Sequence, residues 1–526
     1  MNQFITRLGS NLIGFLTGFD RLVFRGTIRS LCYPLGVEIY MRNHHVLHKD
    51  FGKHVEMISK QVTQASLAEF HAQGRKERYI NNNQLCKEEI AREIQRDEAI
   101  QDGTICILTA VEPCLSFEMY RNAQTKQLEL QARMRKCKHI YHYLQHPVFG
   151  FMNVRIQTWF PFRVQICING REWLAKQMDL AGIHYTRADN CFPWVESFSA
   201  AQSLLDTQLQ ADFSALLDAV LLQAHPLHEI LKKEVRSDYY WSCYQSEWAT
   251  DLTFSERSCL DRLYPRLIQH GVTTFSSPNV LRFLGKPLAS TGEIRTDFRG
   301  EVTSDLKTRS EGVRIKHYVN GNSVKMYDKA KTPSGCVLRV ETTINQPEEF
   351  FISRSKEGGP PDQKEKRYLR KGVVDLPSRA DVSQACNERY MNALASVDND
   401  QRLKELLANV TAPARLHHKR VRALRPFDVD ESKLFELLNR GEFVINGLRN
   451  RDLQALWFDT PAQDETEARR RSGFITRKLR MLRAHGIVEK VERTHRYQVT
   501  LDGRNLLTAI LAARETPVNK FMPLAA

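Results

Sequence analysis

Four cations fall at spacings that would set them on one face of a sheet. The segment GVRIKHYVNGNSVKMYDKAKTPSGCVLRVETTI, residues 312–344, alternates apolar and polar residues around Asn320-Gly321. Asn-Gly favours a two-residue type I′ turn, whose central residues both need positive φ. That turn fixes a register with Val319 facing Asn322, Lys316 facing Lys325 and Arg314 facing Tyr327. A second hairpin, closing through Lys331–Gly335, would bring Tyr327 near Arg339 and Lys325 near Glu341. One face then carries Val313, Ile315, Val324, Met326, Leu338 and Val340. The other carries Arg314, Lys316, Tyr318, Lys325, Tyr327, Arg339, Glu341 and Thr343. Opposed lysines repel one another, and an anion between them would relieve the repulsion. A basic face with interleaved aromatic rings suits phosphates and bases. The same pattern also suits a plain solvent-facing surface on which Glu341 pairs with Lys325 or Arg339.

A second set of groups is acidic. In YYWSCYQSEWATDLTF, residues 239–254, Glu247 and Asp251 share a face of a strand, or lie four apart on a helix. Either geometry lets them join Glu341 around a hard divalent cation; surface or capping acids would read the same way. NSVKMYDK followed by VLRVET is similar to the YDK…LRxE pattern of phage and plasmid rolling-circle replication initiators. The resemblance implies a tyrosine that attacks a DNA phosphate and carboxylates that hold Mg²⁺ or Mn²⁺. Carried over, these are Tyr327 as nucleophile and Glu341 as metal ligand, with a metal-dependent DNA nickase or strand transferase as the implied enzyme.

Other chemistries lack their residues. The chain has no Walker A loop, no GxSxG elbow and no GxGxxG followed by an acid, so no nucleotide cofactor is expected. The histidine clusters His44/His45/His48 and His139/His142/His146 have no partner at zinc spacing and read as packed or exposed residues. The eleven cysteines are scattered without a CxxC pair, which points to a reducing, cytoplasmic setting.

The strongest pattern for nucleic acid lies near the C-terminus. Glu431–Arg440, Gly447–Phe458 and Glu465–His485 read as three helices, the last strongly basic. Gly486 ends it, IVEKVE and RYQVT follow as a hairpin, and Asp502-Gly503 leads into a final helix. The run LRAHGIVEKVERTHRYQVTLDGR resembles the winged-helix domain of MarR-like bacterial regulators. The resemblance implies a third helix that enters the major groove and a hairpin wing that reaches the backbone. The nucleic-acid contacts it names are Arg469, Arg470, Arg471, Arg477, Lys478, Arg480 and Arg483 on the helix, with Arg493, His495 and Arg496 on the wing. A solvated charged face, or a winged helix that docks only protein, are the other readings of this run.

The elements that must position these groups divide the chain into a helical N-terminal region (1–100), an α+β domain (101–196) and a helical connector (197–236). An antiparallel β-rich domain (237–354), a basic linker with helices (355–425) and the winged helix (426–515) follow. The expected class is a multidomain α+β protein with central mixed or antiparallel sheets. Its 526 residues, 42% hydrophobic and 26% charged, exclude a disordered or collagen-like chain. The apolar stretch Leu8–Phe24 is cut by Asp20 and Arg21, with Arg25 following, so no membrane partner is expected. The net charge of +15 calls for a polyanion, and roughly +8 of it lies beyond residue 410. DNA is the first expected partner and a noncoding RNA the second; an oligomer is compatible with the sequence. Together these features describe a DNA-binding protein of a mobile or self-replicating element, such as a replication initiator or transposase-like protein.

Overall fold

The structure is a computed structural model. It describes residues 3–81, 85–289, 292–309, 312–329, 336–355, 364–395, 403–439, 443, 447–458, 460–491 and 494–515. The strands that carry or flank the groups named above are β1 (Leu12–Ile28), β2 (Arg78–Tyr79), β3 (Gly103–Arg121), β4 (Leu128–His146), β5 (Gly150–Gln157), β6 (Val164–Asn169), β7 (Tyr185–Ala188), β8 (Cys191–Val195), β9 (Tyr239–Phe254), β10 (Val302–Arg309), β11 (Gly312–Val319), β12 (Asn322–Asp328) and β13 (Val337–Ile344). The chain is a mixed α/β protein and separates into two units. One comprises residues 14–253 and 329–384; the other comprises residues 1–13, 254–328 and 385–526.

The first unit, hereafter the sheet unit, is built on strands in the order β13-β9-β1-β6-β5-β4-β3-β2. Neighbours from β1 to β3 pair antiparallel and β2 joins in parallel, so the sheet is mixed. Residues 12–28 therefore correct the expectation of a helical region over 1–100. LIGFLTGFDRLVFRGTI forms a central strand, rich in the β-branched and aromatic residues that pack on a pleated surface. Helices Pro34–Asn43, Phe51–Ala72 and Lys87–Asp97 supply the helical character expected there. Helix Phe198–Thr207 lies so close to β1 that a Cβ at Gly18 would meet the Leu205 side chain at 2.7 Å. Helix Gly170–Ala181 opens with Asn169, whose side chain accepts from the Arg171 and Glu172 amides, and closes at Gly182 with φ 68°. Phe19, Phe24, Ile166, Leu174, Leu205 and Trp248 belong to one apolar core.

The second unit carries β10-β11-β12 as an antiparallel meander. The Asn320-Gly321 turn holds the register its residue types predict, with Arg314 opposite Tyr327 and Lys316 opposite Lys325. Two helices, Arg257–Thr273 and Ser277–Phe283, interrupt the stretch expected to be β-rich over 237–354. Beyond residue 400 the helices Val429–Leu438, Asn450–Trp457 and Glu465–Ala484 are followed by the hairpin Val488–Lys490/Tyr497–Val499 and the helix Leu501–Glu515. Leu434, Phe435, Leu453, Ile475, Leu482 and Leu507 share their core. The segment read as a linker from residue 355 has paired ends, since Phe351–Ser355 and Lys364–Tyr368 form a hairpin in the sheet unit. Among the described residues no helix is long and apolar enough to cross a membrane.

Candidate metal centre

Strand register sets the acidic groups. β13 and β9 run antiparallel, with Thr343 opposite Glu247, Glu341 opposite Ala249 and Arg339 opposite Asp251. Side chains two residues apart share a face, so Arg339, Glu341, Glu247 and Asp251 all lie on one side of this strand pair. Asp20 arrives from β1, the strand bonded beside β9. One carboxylate oxygen each from Asp20, Glu247 and Glu341 lies within 4.8 Å of the other two. Asp20 and Glu341 are buried and Glu247 is half-buried.

The neighbouring charges decide how those three carboxylates are held. The Arg339 guanidinium grips Asp251 through Nε at 2.5 Å and Nη2 at 2.8 Å, and reaches Asp20 through Nη1 at 3.2 Å. Arg171 adds a contact to Asp251 at 3.1 Å. Asn190 donates its amide N–H groups to both oxygens of Asp20, at 2.9 and 2.8 Å. Burial works to raise the Asp251 carboxyl, but Arg339 and Arg171 together hold it below the usual range. Asp20 goes the other way: burial first, and then the charges of Glu341 and Asp251, leave it raised despite Arg339. Burial crowds the carboxylates of Asp20, Glu247 and Glu341 together, and a divalent cation among them would offset their mutual repulsion. Three carboxylate oxygens are the donor set of a hard cation such as Mg²⁺ or Mn²⁺. A cavity of about 160 Å³ opens beside the group, lined by Asp20, Glu247, Arg21, Arg92, Asn153 and Asn190 among others.

Two of the three carboxylates expected to hold a metal, Glu247 and Glu341, thus come together. Asp251 does not join them; its oxygens are taken by Arg339 and Arg171. The third member is Asp20, which in the sequence stands out only as a charge that breaks an apolar stretch. A signal for it exists: Asp20-Arg21 is a charged pair inside the β-forming run GFDRLVF. A buried strand keeps such an acid only with a partner.

The expected nucleic-acid contacts fare unequally. Arg339 is corrected: it is fully buried and anchors Asp251 and Asp20, so it presents nothing to a ligand. Arg314, Lys316 and Lys325 are half-buried on the meander of the other unit. The Lys316 amine is held below its ordinary range by desolvation and then by the positive charges of Lys325 and Arg314. Tyr327 is buried on β12 of that unit, with the Lys325 amine 5.9 Å from its ring centre. The three carboxylates belong to the sheet unit and are complete there without it.

On the basic helix Glu465–Ala484 the arginines split into two groups. Arg469, Arg470 and Arg471 face Glu465 and Glu467 at 2.7, 3.9 and 2.8 Å, one helical turn away. Arg477 and Arg480 are exposed, and Arg483 is half-buried. Lys478 lies over the Trp457 and Phe474 rings. A groove of about 340 Å³ runs between this helix and Arg420–Arg422, lined also by Phe474 and Met481. His495 and Arg496 are exposed beside the hairpin, and Arg493 falls outside the described residues.

Comparison with protein-family models, with curated proteins and with solved structures finds no match for this chain.

Proposed function

We propose that this chain is a DNA-processing protein of a replicating or mobile element that cleaves one strand with the help of a divalent metal. The convergence of Asp20, Glu247 and Glu341 from three separate strands carries this reading. A metal in that site would polarise a phosphate oxygen and offset the charge that builds during displacement. Glu341 and Asp20 would hold it from the buried side, and half-buried Glu247 would close the set at the cavity mouth. Arg339 positions Asp20 while it neutralises Asp251. Arg21 and Arg92, which line the cavity, would hold a strand phosphate in this proposal, Arg92 from its pairing with Glu172 at 3.0 Å.

The C-terminal helices and hairpin act in this proposal as a winged helix that chooses the duplex site. Their order supports it, as do the exposed Arg477 and Arg480 on the third helix. The test is nicking of supercoiled DNA by the full chain with Mg²⁺ or Mn²⁺. Cleavage should vanish with EDTA and with Glu341→Gln. Tyr327→Phe then separates attack by tyrosine, which it abolishes, from attack by water, which it leaves intact. If no metal-dependent nicking occurs with any divalent ion, the enzymatic reading fails.

A further inference from the structure

A second cavity of about 160 Å³ lies on the sheet unit, and arginines line it. Register explains how they meet. Arg25 on β1 faces Gln165 on β6, and Gln165 faces Arg155 on β5, so the three form one row across the sheet. Arg163, just before β6, is the third arginine of the lining. Arg155 pairs with Glu112 at 2.8 Å. The Nε atoms of Arg155 and Arg163 are buried and have no hydrogen-bond partner among the described residues. Desolvation, together with Arg163 and Arg155, holds the Arg25 guanidinium below its ordinary range, while Tyr244 works the other way. Burial and then Arg155 push His139, also in the lining, down to about 4, so it stays neutral and adds no charge.

The row continues onto β9 as aromatic rings. Arg25 sits 4.1 Å from the Tyr244 ring centre and Arg29 sits 3.6 Å from that of Tyr240. Both rings keep about 40% of their surface exposed. Arg21, at the wall of the carboxylate cavity, precedes Arg25 by four residues on the same strand. That spacing is about 13 Å at roughly 3.3 Å per residue.

We infer that the pocket of Arg25, Arg155 and Arg163 holds a backbone phosphate of a single nucleic-acid strand, with adjacent bases stacking on Tyr244 and Tyr240. Clustered guanidiniums with unused N–H groups match phosphate oxygens, and exposed rings accept any base. The inference deepens the proposed function by naming the strand that would run toward the carboxylates. It can be tested without any cleavage.

The probe is a fluorescein-labelled oligothymidylate, titrated with the full chain in EDTA and followed by anisotropy. The double variant Arg25→Gln/Arg163→Gln should bind at least about tenfold more weakly. Its salt slope should fall by about 0.7, the value for one lost phosphate contact on a single strand. The assay contains EDTA and reads binding alone, so an absence of nicking would leave this result standing. An unchanged affinity and slope in the double variant overturns the inference. If that variant does not fold, the unaltered chain is crosslinked to a 4-thiothymidine strand. Attachment to a peptide with Tyr240 or Tyr244 supports the inference, and attachment only beyond residue 400 overturns it. Arginine-dependent thermal stabilisation by inorganic phosphate but not by the oligonucleotide also overturns it, since the pocket would then be a small-anion site.

Discussion

Charge is deployed in opposite ways in the sheet unit and in the C-terminal helices. In the sheet unit Arg171, Arg339, Asp20, Asp251 and Glu341 are all buried, and each cation is fixed by named carboxylates. On the helix Glu465–Ala484, Arg469, Arg470, Arg477 and Arg480 stand in solvent, and Arg469 and Arg470 find Glu465 and Glu467 about one turn away on the same helix. A buried ionic network is stiff, because breaking any contact leaves a charge in a medium that solvates it poorly. An exposed arginine is mobile and cheap to expose, and it is available to a phosphate. The first arrangement suits a site that must hold a geometry. The second suits a surface that must bind and release.

The largest expected difference comes from that stiffness. Arg339→Met should destabilise the sheet unit by about 3–5 kcal/mol, because Asp251 and Asp20 lose their shared cation inside the fold. Chemical denaturation measures this; a loss under 1 kcal/mol, in round terms about one ordinary hydrogen bond, would mean that the network is not rigid.

Acid should distinguish the two units next. His139 and His142 in the sheet unit are pushed to about 4, and His225 to about 3, each mainly by burial. In the other unit only His317, among the described residues, is pushed to about 4. These values lie below the ordinary histidine range, so the unfolded chain takes up protons first as pH falls. The stability is complete above about pH 6.5 and is lost toward pH 4. Each histidine contributes a slope of up to about 1.4 kcal/mol per pH unit. Burial also lowers His54 and His146 in the sheet unit and His270 in the other, so hydrogen exchange resolved by peptide should show the sheet unit weakening more steeply.

Metal should act on the sheet unit alone. Excess Mg²⁺ or Mn²⁺, at about a hundred times its dissociation constant, should stabilise it by about 2.7 kcal/mol. Glu341→Gln should erase that gain. Thermal unfolding with and without the ion checks both statements.

The exposed helix should respond least in stability and most in binding. Arg477→Ala with Arg480→Ala should change unfolding by no more than about 0.5 kcal/mol each. The same pair should lower the salt slope of duplex binding by about 1.8 if both touch phosphate. Arg469→Ala should alter neither quantity measurably, since Glu465 already occupies that side chain at the surface. A larger effect from Arg469 than from Arg477 would reverse the assignment of the two ends of this helix.

Part of this was legible in the chain itself. Asn320-Gly321 dictated the register of its hairpin because a two-residue turn leaves one way to pair the strands. Asn169 and Gly182 bounded a helix through capping that acts over three or four residues. Period and charge marked the basic helix Glu465–Ala484 and its exposed Arg477 and Arg480. These signals are local, and local chemistry survives in any context. The helices inside 257–283 and the long strand over 12–28 were harder to read. A mixed run of apolar and charged residues supports either element until its neighbours supply a face to pack on.

What only the tertiary structure decided is which charges meet. Asp20, Glu247 and Glu341 lie far apart in the chain and belong to strands whose order in the sheet no local pattern encodes. The same order buried Arg339 instead of exposing it, and gave Asp251 to that arginine instead of to a metal site. Sequence alternation fixes which side chains share a face of one strand. The identity of the strand alongside, and with it the partner of each buried charge, is settled only when the whole sheet closes on a common core.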